Sequence, residues 1–236
     1  MSKSVAVTQS NYIPWKGYFD IIAQVDEFII LDNVQYTRRD WRNRNLIKTP
    51  KGLQWLTIPV QVKGRFTQRI NETRVSERDW AEKHWRTIVA NYRQAPHFDE
   101  YGKRLAVFYE RCAGVELLSE INLLFLRGIA ELLDIRTPFR LAIDCVPQAE
   151  MDTMTPSARL AAVCQAAGAR RYLSGPAGKN YLDLAPFEAA GIAVDWMDYS
   201  DYLEYPQLWG PFEHGVSIVD LILNTGAEAR RFLKTA

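Results

Sequence analysis

The first 31 residues constrain the fold most. Residues 4–8 (Ser-Val-Ala-Val-Thr) are short, apolar and β-branched, and residues 28–31 (Phe-Ile-Ile-Leu) repeat that character. Between them lies a polar loop with Pro14 and Gly17, then residues 18–24, where Phe19, Ile22 and Ala23 share a helical face. A strand, a helix and a second strand make a parallel βαβ unit, because parallel strands need a long crossover and the helix covers the sheet. Open sheets of this kind bind ligands beyond the carboxyl ends of their strands. Gln9, Asn11, Tyr12, Asp32 and Gln35 leave from those ends and are the first candidate site residues.

The second half repeats the alternation. Thr155 is placed as an N-cap with Pro156 at the first helical position, where its missing N–H is harmless. Residues 172–174 read as a strand and 175–181 as a loop. Residues 184–190 form a helix that Gly191 can end, 192–197 a strand, and 217–223 an amphipathic helix closed by Asn224 and Gly226. The middle is helical. Ser76 is a candidate N-cap for a helix carrying Trp80, His84, Ile88 and Tyr92 at fourfold spacing, and helices follow over 98–110 and 119–133. Residues 136–141 are extended. The expected fold is a single α/β domain over 1–236, Rossmann-like, with a mostly parallel sheet, flanking helices and a helical insertion or subdomain at about 76–133.

Residues 35–52 stand apart from this pattern. Arg38, Arg39, Arg42, Arg44, Lys48 and Lys51 crowd around one acid, Asp40, with Tyr36 and Trp41 among them. Strand-like runs flank the stretch at 27–31 and 54–62, the second with Pro59 tolerated at an edge. Guanidinium forks fit phosphate or carboxylate, and an aromatic ring offers a flat face to a base or sugar. The stretch is therefore read as an anion-binding wall of an active site, against the alternative of a solvated charged hairpin. The whole chain carries 29 Lys and Arg against 28 Asp and Glu, so the positive charge is local. Near balance argues against a nucleic-acid coat or a membrane-surface protein. The interleaving of Tyr36, Trp41, Arg42 and Arg44 also suits a single strand, but no RNA-binding motif accompanies it.

Other classes are excluded by what is scarce. Cys112, Cys145 and Cys164 are scattered and odd in number, which suits thiols in a reducing compartment. With only His84, His97 and His214 beside them, no zinc-spaced cluster exists, so no metal or tightly bound cofactor is expected. No leader pattern opens the chain, and no apolar run approaches the roughly 18 residues of a membrane span. The expectation is a cytoplasmic protein. Gly175-Pro-Ala-Gly178-Lys179 after a strand can cradle phosphate or form an ordinary turn, and it lacks the Walker A spacing. His84 is either a general base or a structural helical histidine. Asp220, on one face with Ser217 and Asn224, is a polar contact or a cap for a neighbouring loop. Cys112 and Cys164 lie on apolar faces as packing residues.

A larger set of motifs carries a resemblance. Gln9-x-x-Tyr12-x-Pro14-Trp15-x-Gly17-Tyr18-Phe19, Asp32-x-x-Gln35-Tyr36 and Trp41-Arg42-Asn43-Arg44-x-x-Ile47-Lys48-x-x-x-Gly52 resemble the WbqC-like family. So do Tyr172-Leu173-Ser174-Gly175-x-x-Gly178-x-x-Tyr181-Leu182, Tyr205-x-Gln207, Ser217-x-x-Asp220 and Asn224-x-Gly226. The likeness runs in order from residue 5 to about 226. Its members are bacterial proteins often associated with O-antigen, other surface-polysaccharide or glycosylated-metabolite pathways. The resemblance implies an enzyme that acylates or aminoacylates, for instance glycylates, the amino group of a nucleotide-linked amino sugar. A more distant similarity, to nucleotidylyltransferase-like α/β folds including pantothenate synthetases, implies an ATP-dependent adenylate-forming ligase or nucleotidyltransferase instead. Those folds use a H-x-G-H loop where this chain has Trp15-Lys16-Gly17-Tyr18, so both histidines are missing. A non-catalytic nucleic-acid or carbohydrate-pathway binding protein is the remaining alternative.

Amide formation from an amino sugar requires a grip on the diphosphate, a base for the ammonium and donors for the oxyanion. For that chemistry Arg38, Arg42, Arg44 and Lys48 are the expected clamp, and Trp41 or Tyr36 the stacking ring. Asp32 or His84 is the expected base, and Asn43 or Gln35 the oxyanion donor. Ser174, Gly175, Gly178, Lys179 and Tyr181 form the opposite wall, and Gln9, Asn11, Tyr12 and Trp15 line the loop after the first strand. The expected co-substrate is ATP or an acyl or aminoacyl donor.

Overall fold

The computed structural model describes residues 2–234. In chain order its elements are β1 (Ser4–Thr8), α1 (Lys16–Ala23), β2 (Glu27–Ile30), β3 (Arg44–Thr49), β4 (Gly52–Thr57), α2 (Trp80–Tyr92), α3 (Lys103–Arg111) and α4 (Leu118–Leu132). There follow β5 (Phe139–Leu141), α5 (Gln148–Met151), α6 (Pro156–Ala166), β6 (Arg171–Ser174), α7 (Ala185–Ala189), β7 (Ala193–Trp196) and α8 (Ile218–Thr225). Among the described residues five strands form one sheet in the order β5-β2-β1-β6-β7, every neighbouring pair parallel. This is the Rossmann-like α/β fold that the opening βαβ pattern predicts. The strand order reverses beside β1, so the crevice between the carboxyl ends of β1 and β6 is the topological switch point.

Strand alternation explains the layers. Val5, Val7, Ile29 and Leu31 face a core completed by Ala161, Val163 and Cys164 of α6. Ala6, Phe28 and Ile30 face the opposite core, shared with Phe19 and Ile22 of α1, Phe125 of α4 and Ile222 of α8. Residues of α2 and α3 join that second core through Trp80, Ile88, Leu105 and Phe108. Burial pushes the Cys112 and Cys164 thiols up to about 12, which leaves them poor nucleophiles near neutrality.

The second half of the basic stretch is a strand, β3, which pairs antiparallel with β4 from Arg44↔Thr57 to Thr49↔Gly52. Gly52 closes this hairpin at φ 103°, where a side chain would be strained. The strand expected to reach residue 62 stops at Thr57, because Pro59 has no N–H to continue a ladder and Val60 makes only an isolated bridge to Val75. Ser76 does not cap α2: its N–H donates to the Pro59 carbonyl, and the helix begins after Asp79. The helix expected over 98–110 is a π-helical turn, Phe98–Gly102, followed by α3. Thr155 does cap α6, its hydroxyl accepting the Ala158 N–H at 3.3 Å. Among the described residues no helix is long and apolar enough to cross a membrane.

Candidate active site at the carboxyl edge of the sheet

The loop after β1 is clamped from below. Asp32, just past β2, accepts the Ser10 N–H at 2.8 Å and the Ser10 hydroxyl at 2.6 Å, and also takes the Ser119 hydroxyl from α4. Asn122, also of α4, donates to the Ser10 hydroxyl and to the Arg42 carbonyl, both at 2.9 Å. Asp32 is 4% exposed; burial pushes its carboxyl up while these bonds oppose the shift. Both oxygens are committed to holding the loop, so Asp32 is a positioning residue here and not the base expected of it.

Arg42 is the second clamp. Its guanidinium donates to the Asn11 side chain and, at 3.4 Å each, to the Gln9 and Ser10 carbonyls. Asp40 lies 3.6 Å from it and is itself fixed by the Thr37 hydroxyl and the Trp41 N–H, both at 2.7 Å. The Trp41 carbonyl in turn accepts the Tyr12 N–H at 3.2 Å. The first part of the basic stretch is thus the floor of the β1 loop.

Two cavities border that loop. The first, about 360 Å3, lies in the switch-point crevice, with Gln9, Gln35, Tyr172, Tyr181 and the start of α6 at Pro156 and Arg159 in its walls. The Arg159 Nε donates to the Met151 carbonyl at 3.0 Å, which fixes the guanidinium against α5. The second cavity, about 290 Å3, is lined by Asn11, Pro14, Trp15, Trp41, Asn45 and His214. Trp15 stands edge-on to Tyr199 and Tyr202 at centroid distances of 5.0 and 5.8 Å. Gly17 makes that position possible, because a Cβ there would lie 2.3 Å from the Trp15 ring. Gly17→Ala is therefore expected to displace the indole and destabilise the fold by about 1–3 kcal/mol. A crystal structure of the variant with the ring unmoved would refute this.

The structure separates the remaining sequence candidates. Gln9, Gln35 and Tyr181 reach the first cavity, and Asn11, Trp15 and Trp41 the second. Tyr12 is buried beneath, its hydroxyl 2.9 Å from His84 Nδ1 and 2.8 Å from the Tyr109 hydroxyl. His84 Nε2 lies 3.1 Å from the Thr57 carbonyl, which can only accept, so Nε2 carries the proton and Nδ1 accepts from Tyr12. Burial lowers its pKa to about 4. With both nitrogens occupied inside the protein, His84 is a strut and not the base.

The expected clamp does not converge. Lys48 is buried and donates to Gln207 Oε1 at 2.7 Å and the Pro211 carbonyl at 2.6 Å. Arg44 lies 4.0 Å over the Trp55 ring and donates to the Arg39 carbonyl, while Arg38 donates to the Val62 carbonyl at 2.8 Å. Tyr36 is buried, so its ring is no stacking platform. Asn43 donates to the Ile58 carbonyl at 2.8 Å, which leaves it no oxyanion role at the surface. Residues Pro176–Asn180 form a 3-10 turn. A Cβ at Gly178 would lie 2.7 Å from both the Ser174 hydroxyl and the Trp196 ring, so packing alone requires that glycine. Lys179 sits 5.9 Å over the same Trp196 ring. Arg159, Asn45 and His214, which the sequence did not single out, line the cavities instead. For Arg159 a signal existed, since it falls in the first turn of the helix that Thr155 and Pro156 announce.

The motifs near the C-terminus meet in the interior. Asp220 of α8 accepts the Tyr92 hydroxyl at 2.8 Å, the Tyr205 hydroxyl at 2.9 Å and the Gln207 side chain at 2.9 Å. The following N–H groups reach the site directly: Ser217 donates to the Leu46 carbonyl and Ile218 to the Pro14 carbonyl. Asp220 is thus the polar contact that fastens the 205–213 segment and α8 to the hairpin and the β1 loop. Among the described residues no group of three or more His, Cys, Asp or Glu side chains is arranged to hold a metal ion.

A family model described as the WbqC-like protein family matches residues 9–232. The "Uncharacterized protein Rv1507c" of Mycobacterium tuberculosis (strain ATCC 25618 / H37Rv) is 50% identical over 234 residues, covering 98% of each chain. No solved structure matches the chain.

Proposed function

The chain belongs to the WbqC-like protein family, and from that premise we propose that it is an enzyme of surface-polysaccharide or glycosylated-metabolite biosynthesis that acylates or aminoacylates the amino group of a nucleotide-linked amino sugar. The observation that carries this reading is the cavity at the switch point. Open α/β sheets bind nucleotides in that crevice. The start of α6 brings the positive end of the helix dipole to its wall, where anions are favoured. Arg159 adds a guanidinium there, and Gln9 and Gln35 add amides. Tyr181, 71% exposed, offers a ring face at the mouth for a base. These groups suit a nucleoside diphosphate better than the expected clamp of Arg38, Arg42, Arg44 and Lys48, whose donors are engaged elsewhere. In the reaction the sugar nitrogen attacks the acyl carbon of a thioester or aminoacyl ester. The C–N bond forms as the donor's C–S or C–O bond breaks, and the amine's proton leaves with the departing thiol or hydroxyl.

Arg159→Ala is expected to weaken binding of a nucleotide-linked amino sugar about 10- to 100-fold, the worth of a charged hydrogen bond to phosphate. Isothermal titration with UDP-, dTDP- and GDP-linked amino sugars measures this. Equal affinity for wild type and variant would sink the assignment, and stabilisation by ATP but by none of the sugars would favour an adenylating enzyme.

A further inference from the structure

We infer that the second cavity bordering the β1 loop, between Trp15 and Trp41, is the subsite for the acceptor sugar, and that His214 selects its amino group; this rests on the nucleotide reading of the switch-point crevice. At about 290 Å3 the cavity is at the small end of ligand pockets, the size of one sugar ring and not of a nucleotide. Its walls have the chemistry a pyranose requires. Two indoles offer faces for the ring's C–H groups, and both are held in place: Trp15 by Tyr199 and Tyr202, and Trp41, 42% exposed, by Trp55 at 5.4 Å. Rings fixed before binding lose little freedom when a ligand arrives.

The polar groups are oriented as well. Arg42 takes the Asn11 carbonyl oxygen, so Asn11 Nδ2, which has no acceptor among the described residues, is left to face a ligand. Asn45 is locked by the Tyr12 carbonyl and the Leu46 N–H. His214 adds an imidazole, exposed and edge-on to Phe212 at 4.5 Å. The charges that face it are Lys16 of α1 and Glu204 and Glu213 of its own segment. Although the ring is exposed, partial desolvation first and Lys16 second lower its pKa from the usual value, which favours the neutral ring that can accept from an ammonium.

The two cavities also border one short loop, since Gln9 lines the first and Asn11 the second. A nucleotide in the switch-point crevice whose diphosphate crosses this loop brings its sugar to the second cavity.

Saturation-transfer NMR on the whole protein tests this with UDP-, dTDP- and GDP-linked amino sugars. In wild type, base and sugar protons of the bound member both saturate; in Trp41→Ala the sugar signals are lost and the base signals persist. Sugar signals that persist in Trp41→Ala, or that never appear while the base saturates, overturn the subsite and leave the nucleotide reading standing. Absence of any base signal in wild type overturns both. For His214→Gln, the preference for the amino sugar over its hydroxyl counterpart on the same nucleotide is expected to fall at least threefold. An unchanged preference removes His214 from the subsite.

Discussion

Asp220→Ala is expected to lower the unfolding free energy by about 3–5 kcal/mol, the usual loss when one partner of a buried charged network is removed. Urea denaturation reads this directly. The hydrogen bonds fix the direction of every proton around the carboxylate. Tyr92 accepts the Lys48 N–H at 2.9 Å, so its own proton points at Asp220. Tyr205 accepts Gln207 at 3.0 Å and likewise donates to Asp220. Burial raises the carboxyl's pKa, but three converging donors and the nearby Lys48 demand an acceptor-only group, and the ionised form is the one that fits. An alanine leaves those donors unpaired and the Lys48 charge uncompensated. Asp220→Asn keeps the volume but turns an N–H towards a donor, and an intermediate loss of about 1–3 kcal/mol is expected. A loss below about 1 kcal/mol for the alanine variant would show that the network is not what holds α8 in place. Because α8 is tied to Pro14 and Leu46, ligand affinity should fall along with stability.

The parts of this molecule that could be read from its sequence are those set by burial. Val5, Val7, Phe28 and Ile30 are apolar because both faces of a parallel sheet are covered, and nothing else explains such runs. The face shared by Ser217, Asp220 and Asn224 was legible for the same reason, as polar groups at helical spacing inside an apolar helix. The cations were not. An arginine that grips a phosphate and one that satisfies a loop carbonyl have the same sequence signature. Loops without ladder partners need donors for their carbonyls, and Arg38, Arg42 and Arg44 supply them to Val62, to Gln9 and Ser10, and to Arg39. The strand inside the basic stretch was hidden because β3 buries Asn45 and Lys48 beside Ile47, which erases the alternation that marks a strand. Arg159 escaped notice because its place beside β1 depends on a strand order that no local pattern encodes.

Acidification isolates a second interior polar group, His84. Its pKa of about 4 in the folded protein lies below the value of about 6.5 for an unburied imidazole. As pH falls from 6.5 to 4 the unfolded chain takes up a proton that the folded chain refuses. Stability is therefore full above pH 6.5 and declines through that window, by about 3 kcal/mol. Other groups titrate over the same range, so the measurement is a comparison: urea unfolding of wild type and His84→Gln at half-unit steps from pH 7.5 to 4. Glutamine does not titrate, and it can still donate to the Thr57 carbonyl and accept from Tyr12. The advantage of wild type over the variant should shrink steadily below pH 6.5. A gap that stays constant to pH 4.5 would mean that the imidazole is not buried neutral. The consequence reaches the site, because His84 links the end of β4 to Tyr12 in the loop that both cavities border. Protonating that ring removes the acceptor for the Tyr12 hydroxyl. Affinity for a nucleotide sugar should then weaken at acid pH in wild type more than in the glutamine variant. A catalytic base would behave otherwise, since its loss would abolish turnover and leave binding intact.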